Sequence, residues 1–159
     1  MQIALKKSSA GGWLGRAVDF CSGGGGYCHA EIICPTLGGE ALTSLTAHGA
    51  CWIRRPHPPE EWTLYEIGHD DRERALQIWA EPELGSGYDF LGDASFIFTP
   101  LRWIRKTSGA SRSRWFCSEI CVDGANAIGE VFPFSVGYKV NPDELAILCQ
   151  QRGFEKISG

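Results

Sequence analysis

Two stretches of the chain carry side chains that can attack an acyl carbon and move its proton. In Arg114-Trp115-Phe116-Cys117-Ser118-Glu119-Ile120-Cys121 a thiol stands just ahead of a run, Ser118 to Ile128, in which Ile120, Cys121, Gly124, Ala127 and Ile128 recur at helical spacing. Glu119 and Asp123 give that run a polar flank. The spacing predicts a helix with Cys117 at its N-terminus. Unsatisfied N–H groups and the positive end of the macrodipole favour an anion there, so thiolate is favoured over thiol and Cys117 is a candidate nucleophile. The competing reading is a buried cysteine acting as a small hydrophobe.

The second stretch is Tyr27-Cys28-His29-Ala30-Glu31-Ile32-Ile33-Cys34, which reads as a strand ended by Pro35. A period of two puts His29 and Glu31 on one face, where a carboxylate can orient an imidazole. A strand histidine with no chemical role would be a surface or hydrogen-bonded core residue. If the helix of Cys117 and the strand of His29 are neighbours, sulfur and imidazole come within or slightly beyond hydrogen-bond reach.

The elements that must position these groups follow from the same periodicities. Gln2 to Leu5 is a short strand and Gly12 to Phe20 an amphipathic helix. Ser22-Gly23-Gly24-Gly25-Gly26 is not a phosphate loop, because no Gly-Lys-Ser or Gly-Lys-Thr follows, and it reads as a mobile connection. Ala41 to Ala47, His48 to Arg54 and Trp62 to Ile67 alternate like strands and suggest an antiparallel meander, with His48, Ala50 and Trp52 on one face. Asp70 or Asp71 can cap a helix through Arg74, Ala75, Leu76 and Trp79 that Pro82 and Gly85 end. Gly85-Ser86-Gly87 releases the chain into Tyr88 to Gly92, a segment that leads into a further helix up to Phe98. Between Arg102 and Arg114 five basic residues stand among serine and glycine, which reads as an exposed loop rather than an anion-binding lid. Val131 to Val140 is strand-like. Asn141-Pro142-Asp143-Glu144 supplies an N-cap, a first-position proline and a glutamate three residues on, and Gly153 can stop the helix they begin.

Composition limits the surroundings. The 159 residues, 43% hydrophobic and 21% charged, suit one globular domain spanning 1–159. A formal charge of -4 and a pI near 5.5 give no electrostatic case for nucleic acid. No apolar run approaches transmembrane length and Met1 to Leu14 lacks a secretory apolar core, so the expectations are no stable membrane insertion and a cytoplasmic location. Seven cysteines without paired CxxC motifs suggest reduced thiols rather than a disulfide framework or zinc ribbon.

Gly-Tyr-Cys-His-Ala-Glu-Ile-Ile, Gly-Tyr-Asp-Phe-Leu-Gly and Phe-Cys-Ser-Glu-Ile, in that order, resemble the circularly permuted branch of the NlpC-type papain-like superfamily, the YiiX-like proteins. The resemblance covers roughly residues 10 to 150. It implies an α+β papain-like fold of permuted topology, with an antiparallel sheet packed against helices that include the cysteine helix. It also implies hydrolysis or transfer at an amide or ester bond. The family's reactive cysteine and histidine fall on Cys117 and His29, and Glu31 falls where its third polar residue often stands. Lecithin retinol acyltransferase is a more distant relative of similar motif order, so the implied substrates are peptides, cell-wall peptides or lipid acyl groups. The glycine run and the basic 102–114 loop depart from typical members.

On this reading Cys117 attacks, His29 carries the proton, Glu31 orients the ring, and the Cys117 N–H contributes to an oxyanion site. Tyr27 and Tyr88 can line the cleft or serve as packing residues. Cys121, one turn on, can resolve an oxidised thiol or simply pack. His48 competes with Glu31 as orienting group. The mechanism calls for no cofactor and no metal. The readings from other classes are a zinc site built from His29, Glu31, His48 and Cys117, and a catalytically idle binding module of the same fold.

Overall fold

The structure is a computed structural model that describes residues 1–22, 24–68, 70–88, 114–129, 132 and 140–158. It is an α+β arrangement. Strands β1 (Gln2–Lys7), β2 (Tyr27–Cys34), β3 (Glu40–Leu45), β4 (Gly49–Ile53), β5 (Trp62–Glu66) and β8 (Glu155–Ser158) make one sheet in the order β4-β3-β2-β1-β5-β8, every pair antiparallel. Strands β6 (Gly87–Tyr88) and β7 (Arg114–Trp115) form a short parallel pair beside it. The described helices are α1 (Gly12–Ser22), α2 (Glu73–Ala80), α3 (Cys117–Ala127) and α4 (Pro142–Gln151). None is long and apolar enough to cross a membrane.

Strands β2, β3 and β4 form the expected meander, but β5 pairs with β1 rather than β4. The reason lies in β1, where Ile3, Ala4 and Leu5 are all fully buried. A strand buried on both faces has unsatisfied backbone on both edges unless it is flanked on both sides, so it takes β2 on one and β5 on the other. The last strand, β8, has no counterpart in the sequence reading. Glu155, Lys156 and Ile157 are exposed, and charged residues of this kind are tolerated at a sheet edge.

Alternation divides the apolar side chains between two faces. Ile3, Leu5, Ala30, Ile32, Cys34 and Leu42 join the large core with α2, α3 and α4. Ala4, Ile33, Ala41 and Trp62 form a smaller cluster on the other face. The chain between β4 and β5 runs over that smaller cluster. Its Glu61 carbonyl accepts from the Lys7 N–H at 2.8 Å, its Pro59 carbonyl accepts from Lys7 Nζ at 2.8 Å, and its His57 ring stands edge-on to Trp62 with centroids 4.6 Å apart.

Helix α3 is covered almost all round, with Cys117 to Ala125 buried. Burying Ile120 and Val122 contributes about 1.5–3 kcal/mol each, so the helix is held by packing more than by propensity. Gly124 permits its close approach, because a Cβ there would lie 2.9 Å from Leu76 Cδ1 and 3.3 Å from Ile32 Cδ1. Helix α4 starts as its sequence foretells. The Asn141 side chain accepts from the Glu144 N–H at 2.7 Å, Glu144 Oε2 accepts from the Asn141 N–H at 2.9 Å, and Pro142 opens the first turn.

The glycine run is fastened rather than mobile over Gly24 to Gly26. Asp143 accepts from the Gly25 N–H at 3.1 Å and the Tyr27 N–H at 2.9 Å, and Asp19 accepts from the Gly26 N–H at 2.7 Å. Two carboxylates thus fix the entry into β2. Helix α2 starts differently from expectation. A 3₁₀ turn, Asp70–Arg72, precedes it and no side chain caps it. Its first residue, Glu73, is buried and accepts from the Thr36 and Leu37 N–H groups at 3.2 and 3.1 Å and from the Thr36 hydroxyl. The helix expected up to Phe98 lies outside the described residues beyond Tyr88, as does the basic loop before Arg114. The strand-like Val131–Val140 segment is described only at Phe132 and Val140.

Candidate active site

Strand β2 presents His29 and Glu31 together, as a period of two requires. His29 Nε2 lies 3.0 Å from Glu31 Oε1 and 3.1 Å from Thr43 Oγ1. The Thr43 hydroxyl donates to the Ala30 carbonyl at 2.8 Å, so its oxygen can only accept from the ring. The carboxylate also only accepts. Both partners therefore put the ring proton on Nε2 and leave the Nδ1 lone pair as the basic site.

Glu31 is fully buried and anchored by more than its strand neighbour. Its Oε2 accepts from His57 Nε2 at 2.7 Å, and its Oε1 is ion-paired with the Arg55 guanidinium. Trp62 forms the floor of this group, with the Arg55 guanidinium 5.0 Å and Lys6 Nζ 5.7 Å from the indole ring, and the His29 ring edge-on at 6.3 Å. Burial is the main reason His29 is pushed down to about 3, with the positive charges of Arg55, Lys6 and His57 adding to it. His57 is pushed down to about 4, again chiefly by burial and then by Arg55. Both rings are neutral at pH 7.

Cys117 is the first residue of α3, as expected, and is 1% exposed. Phe116 occupies the N-cap in an extended conformation, and its N–H donates to Glu119 Oε2 at 3.4 Å. The strand of His29 and the helix of Cys117 are neighbours, and α3 packs against β2 and β3. Their side chains do not share a face of the sheet. Ala30, Ile32 and Cys34 point toward α3 and Cys117 joins that core, whereas His29 and Glu31 alternate to the side of Ile33 and Trp62. The cause is the two-residue period of β2.

Both groups nevertheless lie at the same end of the sheet. Thr43 and Ser44 are adjacent on β3 and point opposite ways, Thr43 to the His29 ring and Ser44 to the Trp115 carbonyl, to which its hydroxyl donates at 2.8 Å. A cavity of about 700 Å³ opens there between α1 and the ends of β2 and β3. Gly11, Gly15, Val18, Cys28, His29, Ser44, Leu45 and Tyr88 are among its lining. Tyr88 also packs on Phe116 with ring centroids 5.9 Å apart, so one lining residue touches the residue that precedes Cys117. Electrostatics links the two sides as well. Burial lowers the Arg55 pKa, and the charge of Cys117 opposes that shift.

Burial pushes Cys28 and Cys51 up, Cys149 up to about 12, and Cys121 well above the ordinary thiol range, the last with Cys117 and Cys149 contributing. No disulfide joins Cys28, Cys34, Cys51, Cys117, Cys121 and Cys149. Tyr88 takes the lining position expected of it. Tyr27 does not, because its hydroxyl donates to Thr63 Oγ1 at 3.1 Å and its ring packs on the large core. His48 sits exposed in the turn before β4 rather than on that strand, so it does not reach the His29 ring as orienting group. Among the described residues no group of three histidine, cysteine or acidic side chains could hold a metal ion.

Thr43, Arg55 and His57 are the members the sequence reading missed. His57 stands between Pro56 and Pro58, and such a stiff, extended neighbourhood was the one available signal. Its partner Glu31 is too distant in sequence for periodicity to join them. Compared with family models, curated proteins and solved structures, the chain finds no match.

Proposed function

We propose that the chain is a thiol hydrolase or acyltransferase acting on an amide or ester bond, built on a papain-like framework of permuted order, with Cys117 as nucleophile, His29 as base and Glu31 as the group that orients the base. The observation that carries this reading is the state of the His29 ring. Nε2 is held by Glu31 and Thr43, Nδ1 keeps the lone pair, and the residue lines a cavity whose wall leads to the start of α3. The acyl group enters that cavity and the thiol meets it around the end of the sheet, beside Trp115 and Phe116.

With His29 neutral at rest, its Nδ1 can take up a proton when the acyl group arrives. As Sγ bonds to the acyl carbon, its proton passes to Nδ1 of His29, which then delivers it to the departing amine or alcohol. Water or an acceptor hydroxyl or amine, deprotonated by the same nitrogen, breaks the thioester and restores the thiol. Backbone N–H groups in the first turn of α3 stabilise the oxyanion formed in each half, a contribution of about 3 kcal/mol where such donors have been removed. The cavity lining is mostly apolar, with Gly11, Gly15, Val18 and Leu45, and suits peptide or lipid acyl groups of modest size.

The burial of Cys117 and its place on the opposite face from His29 favour a second reading, a catalytically idle binding module of the same fold. Incubation with activated acyl esters, followed by mass-spectrometric mapping of the intact protein, separates the two. A single acyl adduct on Cys117, absent from Cys117→Ser, supports the enzyme. No adduct, or adducts confined to Cys28 and Cys51, supports the binding module.

A further inference from the structure

We propose that Arg55 and His57 are positioning residues of this site, clamping both oxygens of Glu31 so that its Oε1 stays on Nε2 of His29 and the ring keeps one tautomer and one orientation. The proposal rests on the functional reading above, and it adds two residues to the site that chain order alone does not suggest.

A buried glutamate at the middle of a strand has rotatable bonds enough to turn away from its neighbour, and a carboxylate out of water needs its lone pairs satisfied. Here His57 donates to Oε2 at 2.7 Å and His29 to Oε1 at 3.0 Å, while the Arg55 guanidinium is ion-paired with Oε1 and its buried Nε and Nη2 make no hydrogen bond among the described residues. Arg55 neutralises the charge, and His57 prevents rotation about the terminal bond. The segment that brings them is itself fixed: His57 lies between two prolines, its ring stands edge-on to Trp62, and Arg55 covers the same indole. A carboxylate held this way presents a constant acceptor to the imidazole, in the manner of the outer partners that orient metal-bound or catalytic histidines. The charged and titratable groups facing His29 are Glu31 on its own strand, Lys6 on β1, and Arg55 and His57 on the segment between β4 and β5. Strands β3 and β5 contribute the Thr43 hydroxyl and the Trp62 indole.

The test uses the full chain with ¹⁵N-labelled histidine, reading the His29 ring shifts against pH, with His57→Ala, His57→Gln and Arg55→Gln. The expected result is the Nε2–H tautomer in the parent protein. His57→Ala and Arg55→Gln should mix the tautomers and raise the His29 midpoint by about one pH unit or more. His57→Gln keeps a donor for Oε2 and should restore the parent tautomer. Unchanged tautomer and midpoint in folded His57→Ala and Arg55→Gln would overturn the clamp. Should Arg55→Gln fail to fold, the two His57 variants decide alone. The readout does not use the thiol: absence of the acyl adduct together with the expected histidine changes in these variants removes the enzyme reading only, and an unmoved histidine removes the clamp even where the adduct forms.

Discussion

Thr43 Oγ1 lies 3.1 Å from Nε2 of His29 with its own proton committed to the Ala30 carbonyl, so it acts on the ring only as an acceptor. Glu31 accepts from the same nitrogen but is also the sole carboxylate described between Arg55 and His57. The two substitutions should therefore differ in size. Thr43→Val removes two neutral hydrogen bonds, one from the His29 ring and one to the Ala30 carbonyl, and should lower stability by about 1–2 kcal/mol. Glu31→Gln leaves a buried guanidinium unbalanced and should lower it by about 3 kcal/mol, while slowing alkylation of Cys117. Urea unfolding of both variants checks the order, and a Glu31→Gln protein as stable as the parent would contradict it.

His48 competes with Glu31 in the sequence, but the fold leaves it exposed in a turn. His48→Ala should stay within about 0.5 kcal/mol of the parent and leave Cys117 alkylation unchanged. Loss of alkylation in that variant would reverse the assignment of the orienting group.

Acid should weaken the fold through the two partly buried histidines. Both have folded values below the ordinary 6.5, about 3 for His29 and about 4 for His57, so the unfolded chain binds protons that the folded chain refuses. Their contribution to stability is complete above the unfolded value and is lost as pH falls from there toward the folded values. Asp123 works the other way, because burial raises it from 3.8 to about 6 and the folded state keeps its proton. Comparing His57→Gln with the parent cancels that opposing effect. Near pH 5 the parent's stability should change with pH more steeply than the variant's by about 1.4 kcal/mol per unit, one proton's worth. Equal slopes in denaturant melts would show that His57 is not held neutral.

Gly49 begins β4 with a φ of 64°, and a Cβ there would lie 1.8 Å from the Ser86 carbonyl oxygen, which accepts from the Ala50 N–H at 2.9 Å. Both the backbone conformation and the missing side chain are required. Gly49→Ala should destabilise by about 3 kcal/mol or more. The melting temperature reads it directly, and a change under about 1 kcal/mol would mean that the turn into β4 relaxes freely.

What the sequence made legible was local. The limits of β2, the helix opened by Cys117 and the capping box at Asn141 all follow from runs of a few residues, where period and turn chemistry act without help. The pairing of His29 with Glu31 was legible for the same reason. The place of β1 between β2 and β5 depends on which strands need two neighbours, a property of the assembled sheet. The clamp on Glu31 joins residues separated by 26 positions through a proline-rich crossing segment that has no periodicity to read. The side of the sheet taken by His29 relative to Cys117 depends on where α3 packs, which β2's own alternation leaves open.

Alkylation of folded protein by iodoacetamide at neutral pH, mapped residue by residue, tests the central claim most directly. Exposure alone would favour the half-buried Cys28 and Cys51 over Cys117, which is 1% exposed. If Cys117 is a nucleophile activated by its helix start and by His29, it should be modified first despite that burial, and His29→Ala should slow its modification by about tenfold or more. Modification of Cys28 or Cys51 ahead of Cys117, with Cys117 indifferent to His29→Ala, would contradict the account.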